Sequence, residues 1–211
     1  MKEYDFTLTF TLRNLENSDQ YYVEALYGGN CDDALIGVGE KGSIALNFIR
    51  EAETAYQAIH SAINDVRAAI PQAIFSEAKP DLVGISDIAE LIGCTRQNVR
   101  KLVKKDASSP SPYYSNSICL WHLADVLFWL RNHKSYEIDE CLLEVSEVNM
   151  KLNISANHFK INNNTSRSRE IQDLAKFAVD IDALPRLKDA LDASRGLRPT
   201  ALKQEKQDKP V

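Results

Sequence analysis

Residues 85–104 read ISDIAELIGCTRQNVRKLVK, and small and turn-forming residues stand in them where two crossing helices need them. Ala89 is small enough to let two helix backbones approach closely. Gly93 can adopt the positive φ of a tight turn, because it has no Cβ to clash. A small core is expected beneath the helices, formed by Ile88, Leu91, Ile92, Val99 and Leu102. The stretch therefore predicts two short helices joined by a tight turn.

The ends of the two predicted helices carry capping residues. Ser86 and Thr95 are predicted as the N-caps, since each side chain can accept a hydrogen bond from a free backbone N–H. The second helix is predicted over residues 96–105, and from Cys94 to Lys105 there are five basic residues and no acid. This pattern predicts a helix-turn-helix whose second helix lies in the major groove of DNA. The alternative is a solvated basic helix in an unrelated helical domain.

The predicted recognition helix carries two kinds of candidate DNA contact. Arg96, Gln97 and Asn98 stand at its start, and arginine can bind guanine bidentately whereas glutamine and asparagine bind adenine. The later basic residues are better placed for phosphates, which position a protein without reading the bases. Arg100 is a candidate for either role. The complete set of candidate DNA-binding residues is Thr95, Arg96, Gln97, Asn98, Arg100, Lys101, Lys104, Lys105, Tyr114, Ser115 and Asn116.

The residues that follow the basic helix predict a hairpin and a third helix. Residues 106–112 are rich in serine and proline and indicate a loop. Residues 113–114 and 118–121 flank Ser115-Asn116-Ser117, a predicted hairpin turn. Residues 122–131 have the apolar spacing of an amphipathic helix. Trp121 and Trp129 are interpreted as core anchors and not as base-stacking groups.

This order of elements resembles the winged helix-turn-helix of the MerR, AlpA and excisionase-type DNA-binding proteins. The resemblance covers residues 81–133, about a quarter of the chain. It implies a recognition helix at residues 96–105 and a wing at residues 113–121. The wing tip departs from a basic wing, because Ser115-Asn116-Ser117 contains no Arg or Lys. Phosphate contacts there would come from hydroxyls, the asparagine amide and backbone N–H groups.

The first eighty residues predict a separate α+β unit. Residues 4–12 alternate apolar and polar side chains with period two, which is typical of a half-buried strand. A helix at 20–27, strands at 34–38 and 43–50, a helix at 53–70 and a strand at 73–78 complete the order βαββαβ. That is the order of the ferredoxin-like fold, which hosts many functions. Sensing of a small molecule or protein and dimerisation through the sheet edge or face both remain open.

Two local patterns in this unit resemble ligand-binding sequences, but we interpret them as structural features. The sequence GVGEKG at residues 37–42 joins two predicted strands and therefore indicates a hairpin turn instead of a phosphate-binding loop. A loose acidic set could bind a cation, although a solvated acidic surface is the favoured interpretation. Its members are Asp32, Asp33, Glu40, Glu51 and Glu53.

The C-terminal third is predicted to be helical. Residues 136–159 show apolar spacings of three and four, with Asn149 at a core position. This pattern suits either a coiled-coil dimer or a helix packed on its own domain, and a wide apolar stripe favours the latter. A polar linker is predicted at 162–168 and short helices at 169–179 and 184–191. The predicted domains are residues 1–80, the winged helix-turn-helix at 81–134, a helical oligomerisation or partner-binding region at 135–194 and a disordered tail at 195–211.

Composition limits the class of protein. The net charge is −5, but residues 1–80 carry twelve acids and six bases whereas residues 81–134 carry five acids and seven bases. No run of eighteen apolar residues is present, so a soluble, cytoplasmic protein without membrane contact is expected. The four cysteines lack the spacing of a zinc site or a disulfide framework. No local catalytic signature is found, so neither an enzyme, a metal nor a cofactor is expected.

Two functional hypotheses follow. The first is a sequence-specific DNA-binding protein, a transcription regulator that acts as a homodimer or higher homo-oligomer on double-stranded DNA. The second is an antitoxin-like or accessory subunit of a multi-protein system. In that case the N-terminal domain or the C-terminal helices bind a protein partner, and DNA binding is secondary.

Overall fold

Two antiparallel sheets and six helices make up the described part of this α+β chain. The computed structural model describes residues 1–12, 17–39, 42–134 and 136–164, and side chains as far as residue 157. Residues 1–157 form one compact unit, and residues 158–211 form a second, of which only the helical backbone at 158–164 is described. The predicted α+β class is confirmed.

The N-terminal residues form a four-stranded sheet with two helices. The elements are β1 (Lys2–Leu12), α1 (Asp19–Gly28), β2 (Ala34–Val38), β3 (Ser43–Ala52), α2 (Ala55–Ala69) and β4 (Ala73–Lys79). The strand order is β2-β3-β1-β4, and each neighbouring pair is antiparallel. All six elements begin and end within two residues of their predicted positions, because periods of two and 3.6 residues distinguish strands from helices here.

The core of this part is made by one face of the sheet and the apolar sides of the helices. The alternating residues of β1 that face inward are all buried, from Tyr4 to Leu12. They pack with Tyr22 and Leu26 of α1 and with the alanines and isoleucines of α2. Thr54 caps α2, since its side chain accepts a hydrogen bond from the Gln57 N–H at 3.3 Å.

A second group of elements follows along the chain. It consists of β5 (Leu82–Val83), α3 (Ile85–Leu91), α4 (Arg96–Lys105), β6 (Tyr114–Ser115), β7 (Cys119–His122) and α5 (Leu123–Lys134). The short strands form a sheet in the order β5-β7-β6. Strand β5 was not predicted, because two residues are too few for a period-two pattern. The core beneath these elements includes Val99 of α4, Trp121 of β7 and Leu127 of α5.

The last described helix, α6 (Glu140–Asn164), contributes to both cores. Val145 is buried in the core of the four-stranded sheet, and Leu143 is buried in the second core. Asn149 is buried too, and its amide donates a hydrogen bond to the Pro80 carbonyl at 3.1 Å. The first half of α6 therefore packs on its own chain, which favours that alternative over a two-stranded coiled coil.

One C-terminal prediction is wrong, and others lie outside the described residues. Helix α6 continues to Asn164, so the start of the predicted polar linker at residue 162 is wrong. The apolar contacts that hold the helix lie upstream, and asparagines can continue a formed helix at little cost. The predicted helices at 169–179 and 184–191 and the tail at 195–211 lie outside the described residues. None of the described helices combines the length and the apolar character needed to cross a bilayer.

A buried polar network links α6 to both sheets. The Asn153 side chain accepts a hydrogen bond from the Ala78 N–H and donates one to the Ala78 carbonyl, both at 2.8 Å. It also donates to Asp81 Oδ2 at 2.7 Å, while Asp81 Oδ1 lies 2.6 Å from His122 Nδ1. Asp81 is 6 % exposed and His122 is 8 % exposed. The Asn153 amide thus satisfies the backbone N–H and C=O of Ala78 on β4 and one oxygen of a buried carboxylate.

We predict that Asn153→Ala lowers the free energy of unfolding by about 2–4 kcal/mol, because a backbone pair and a buried carboxylate oxygen lose their partner together. Chemical denaturation measures this loss. The control is Asn157→Ala, since Asn157 lies one turn further along α6, is exposed and makes no side-chain hydrogen bond within the described residues. Equal stability of the two variants would contradict a structural role for the Asn153 network.

Candidate nucleic-acid interface

Helix α3 begins directly after β5, and Gly84 is its N-cap residue. The Gly84 N–H donates to Asp87 Oδ2 at 2.7 Å, so the carboxylate of the first turn satisfies this backbone group. Ser86 was predicted as the N-cap, and that prediction is wrong. Pairing of Val83 with Trp121 ends the strand one residue before Gly84, so that Ser86 already lies within the first helical turn.

The turn between α3 and α4 has the geometry that its sequence predicted. Gly93 has a φ of 65°, a value that is strained for residues with a Cβ. The Cys94 N–H donates to the Ala89 carbonyl at 2.9 Å, which closes the end of α3. Ala89 is buried in the core that α3 and α4 share. The small residue and the glycine therefore have the structural roles that were expected of them.

Helix α4 is held by its cap and by its apolar side. Thr95 is the N-cap, and its hydroxyl accepts a hydrogen bond from the Asn98 N–H at 3.2 Å. Val99 is fully buried, and Leu102 is half-buried against the same core. Leu91 was predicted in this core but is 40 % exposed, because α3 ends there and its last side chain lies at the surface.

The outer face of α4 is basic, exposed and without internal partners. The eight candidate residues from Thr95 to Lys105 are all exposed. Within the described residues, none of the five basic side chains forms an ion pair or a hydrogen bond. These five are Arg96, Arg100, Lys101, Lys104 and Lys105.

The spacing of these positive charges causes electrostatic repulsion along the outer face of α4. Arg96, Arg100 and Lys104 follow one another at intervals of four residues, as do Lys101 and Lys105. Like charges at this interval destabilise a helix by a few tenths of a kcal/mol per pair. The helix is about 14 Å long by its rise per residue, so the five cations are concentrated along it. Binding of an anion, or of a row of anions, would relieve this repulsion.

The one acid at the end of α4 is already neutralised. Asp106 forms a hydrogen-bonded ion pair with Lys134 of α5 and also accepts a hydrogen bond from the Ser108 hydroxyl. The hydrogen bonds from Lys134 and Ser108 hold the pKa of the Asp106 carboxyl well below its usual range. A shallow groove of about 460 Å³ runs here, bordered by Asn98, Lys101, Lys105 and Lys134 among others. Sequence reasoning missed Lys134, because it lies on another helix and follows no motif.

The hairpin of β6 and β7 forms the second part of the candidate surface. Its turn is closed by the Asn116 N–H, which donates to the Ile118 carbonyl at 3.1 Å. Tyr114, Ser115 and Asn116 are all exposed, as was expected of the predicted wing contacts. Within the described residues, no hydrogen bond links these three to the candidates on α4. The candidate residues on α4 and those on the hairpin therefore lie on elements that share one core, without a hydrogen bond between the two sets among the described residues.

Two tryptophans fasten the loop that joins α4 to the hairpin. The Trp121 indole N–H donates to the Pro110 carbonyl at 3.0 Å, and that of Trp129 donates to the Ser108 hydroxyl at 3.1 Å. Both rings are buried in the second core. The loop is therefore held at two points, by Trp121 of the hairpin strand β7 and by Trp129 of α5. The prediction that both tryptophans are core anchors agrees with this burial.

Comparison with protein-family models, with curated proteins and with solved structures finds no match for the chain. What this surface can bind is therefore inferred from its own charge, exposure and support. Among the described residues, no group of three or more metal-binding side chains comes together.

We predict that Gly93→Ala destabilises the protein by roughly 1–2 kcal/mol, although the space around Gly93 is open, because its positive φ opposes any side chain. Thermal unfolding followed by circular dichroism measures the change. Gly28→Ala serves as the control, since Gly28 has equally open space and no positive φ. An unchanged midpoint for Gly93→Ala would argue against a strained turn.

Proposed function

We propose that the chain is a sequence-specific binder of double-stranded DNA, a transcription regulator that acts as a dimer or higher oligomer. Residues 81–133 act as a winged helix-turn-helix, with α4 as the recognition helix and the β6–β7 hairpin as the wing. Residues 1–79 adopt a ferredoxin-like fold, for which the element order and the strand order β2-β3-β1-β4 are the support. The protein binds without catalysis and works in the cytoplasm.

The single observation that carries the proposal is the unpaired basic face of α4. Five exposed cations lie within ten residues with no acid among them, and none of the five has an ion-pair partner among the described residues. A helix of this length fits the major groove, and its support from one side leaves the opposite face free to enter that groove.

The side chains on α4 suit a division between reading and positioning. Arg96 and Gln97 lie in the first turn, the part of a recognition helix that meets base edges, and Arg100 lies one turn later on the same side as Arg96. Lys101, Lys104 and Lys105 are point charges better suited to phosphates. The hydroxyl and amide groups of the wing tip can add neutral hydrogen bonds to the neighbouring backbone.

The negative net charge of the chain is compatible with this role. Acids exceed bases mainly in residues 1–80, and there several acids are engaged, since Arg50 pairs with Asp33 and Asp65 at 2.6 and 2.7 Å. A local basic surface determines phosphate contact, while the charge of distant regions is screened beyond about 8 Å at physiological salt. Modest nonspecific affinity and a strong gain from pairing two copies are therefore expected.

The test is a titration of the full chain with a fluorescent DNA fragment from upstream of its own coding sequence, at several salt concentrations and with unrelated competitor DNA. We expect Arg96→Ala with Arg100→Ala to reduce the discrimination against competitor, at about 1–3 kcal/mol for each lost bidentate contact. The fold should be unchanged, because neither side chain contacts the core. The salt slope reports how many phosphates are neutralised.

The matched control is the pair Arg67→Ala and Lys151→Ala, which removes the same charge from exposed positions on α2 and α6. Equal loss of DNA binding in both double variants would reduce the effect to net charge and would contradict base reading by α4. Absence of any specific binding by the unaltered chain would overturn the proposal in favour of the interaction-subunit hypothesis.

A further inference from the structure

Strand β2 is an edge of the four-stranded sheet, and it lacks the usual protection of such edges. Its sequence is ALIGV, without charge or proline, and among the described strands it pairs only with β3. Edge strands of this kind are normally interrupted by lysine, proline or a bulge, or are covered, because their free backbone groups attract other strands. Leu35, the second residue of this strand, is 76 % exposed. An uncharged open edge with an exposed leucine indicates a partner.

The backbone hydrogen bonds show which groups of β2 are free. The Gly39 N–H donates to the Ser43 carbonyl, and the Ile49 N–H donates to the Asp33 carbonyl. Because hydrogen-bonded pairs alternate along an antiparallel ladder, residues 35 and 37 also bond to β3. Residues 34, 36 and 38 therefore direct their backbone groups outward. Of these groups only the Ala34 N–H is engaged, by the Cys31 carbonyl, within the described part of the chain.

Gly37 has no explanation within one copy of the chain. A Cβ added there would meet nothing nearer than the Ala45 carbonyl oxygen at 3.9 Å, and the φ of Gly37 lies outside the positive range. A glycine in a strand weakens it and often marks a place where another group approaches closely. Gly37 and Leu35 lie two residues apart and so share one face of the sheet. Gly37, which has no side chain, therefore lies next to the largely exposed side chain of Leu35 on the same face of the sheet.

We propose that a second copy of this chain pairs with β2 in antiparallel register about a two-fold axis at Ile36. The two Ile36 residues then exchange N–H and C=O bonds, and each Val38 N–H donates to the partner's Ala34 carbonyl, which makes four hydrogen bonds. Leu35 of one copy lies opposite Gly37 of the other, in a pair whose side chains are close because it is not hydrogen-bonded. The exposed leucine packs onto the bare backbone of the glycine, twice by symmetry.

This register is favoured over the adjacent registers because it pairs the largest number of β2 residues. With the axis at Ile36 all five residues of each β2 face a residue of the other β2, whereas a shift of the axis by one residue leaves part of each strand unpaired. A two-fold contact of this kind is self-complementary, as closed dimers require. The joined sheets form one sheet of eight strands.

Charge and area define the partner further. No charged residue lies within β2, so the five paired residues of the two copies bring no like charges together. A contact of five residues per copy is small beside the roughly 800 Å² per partner of a typical stable interface. The dimer is therefore weak on its own and dissociates on dilution. This inference deepens the proposed function, because a weak dimer gains strength when both copies occupy neighbouring half-sites on DNA.

The experiment is sedimentation equilibrium of the full chain without DNA, so its result is independent of whether α4 binds DNA. We expect a dimer that dissociates on dilution. Gly37→Glu places a carboxylate opposite the apolar Leu35 side chain and brings one like charge from each copy to a short contact, so it should raise the dimer dissociation constant at least tenfold. Leu35→Gly loses the contact and should also weaken the dimer. The double variant Leu35→Gly with Gly37→Leu exchanges the positions of the leucine and the glycine. Each leucine again lies opposite a glycine of the other copy, so this variant should restore the dimer.

The control and a fallback variant keep the test decisive. Ile74→Lys changes an exposed apolar residue on β4, the opposite edge strand, and should leave the dimer intact. Leu35→Lys alters only an exposed position and should dissociate the dimer even if Gly37→Glu fails to fold. A monomer at every concentration, or a dimer indifferent to the changes at residues 35 and 37, would overturn the proposal. A double variant that folds but stays monomeric would do so as well.

Discussion

The Asp81 carboxylate imposes the strictest constraint on the structure, because a buried charge must have hydrogen-bond partners. Its two oxygens are met by His122 of β7 and Asn153 of α6, and its backbone carbonyl accepts the Leu123 N–H at the start of α5. Three elements that are distant in sequence are thereby brought to one residue. The Asn153 amide also bonds the backbone N–H and C=O of Ala78 on β4. The four-stranded sheet, the hairpin and α6 are consequently held together by polar groups that tolerate little displacement.

Apolar packing on one side and a capped N-terminus explain how a short, basic helix can be presented at the surface. Val99 and Leu102 hold α4 on one side, and the Thr95 hydroxyl caps its start. The repulsion along its outer face is compensated by this support, so the face can stay unpaired. The indoles of Trp121 and Trp129 hold the loop that leads to the hairpin. A surface arranged in advance loses less entropy when it binds, which is the advantage of building it on fixed elements.

The two edges of the four-stranded sheet are treated differently. Edge strand β4 carries Glu77 and Lys79 and has the backbone groups of Ala78 bonded by Asn153, whereas β2 carries no charged residue. An edge that needs no partner is normally protected, so this asymmetry has a physical meaning. In the proposed dimer the open edge provides the contact between copies, and α4 lies outside that contact, in another part of the fold. The proposed assembly and the proposed DNA recognition thus use separate surfaces that can be altered independently.

The sequence by itself determined the order and bounds of the N-terminal elements, the turn at Gly93, the cap at Thr95 and the exposed basic face of α4. All of these depend on period, on φ or on neighbours within four residues. Tertiary structure alone decided that Gly84 and not Ser86 begins α3, that Leu91 is exposed and that α6 packs on its own chain. It also created the Asp81 network, whose partners lie 41 and 72 residues away from that aspartate. Such contacts leave no local pattern, because they depend on how the elements pack in space.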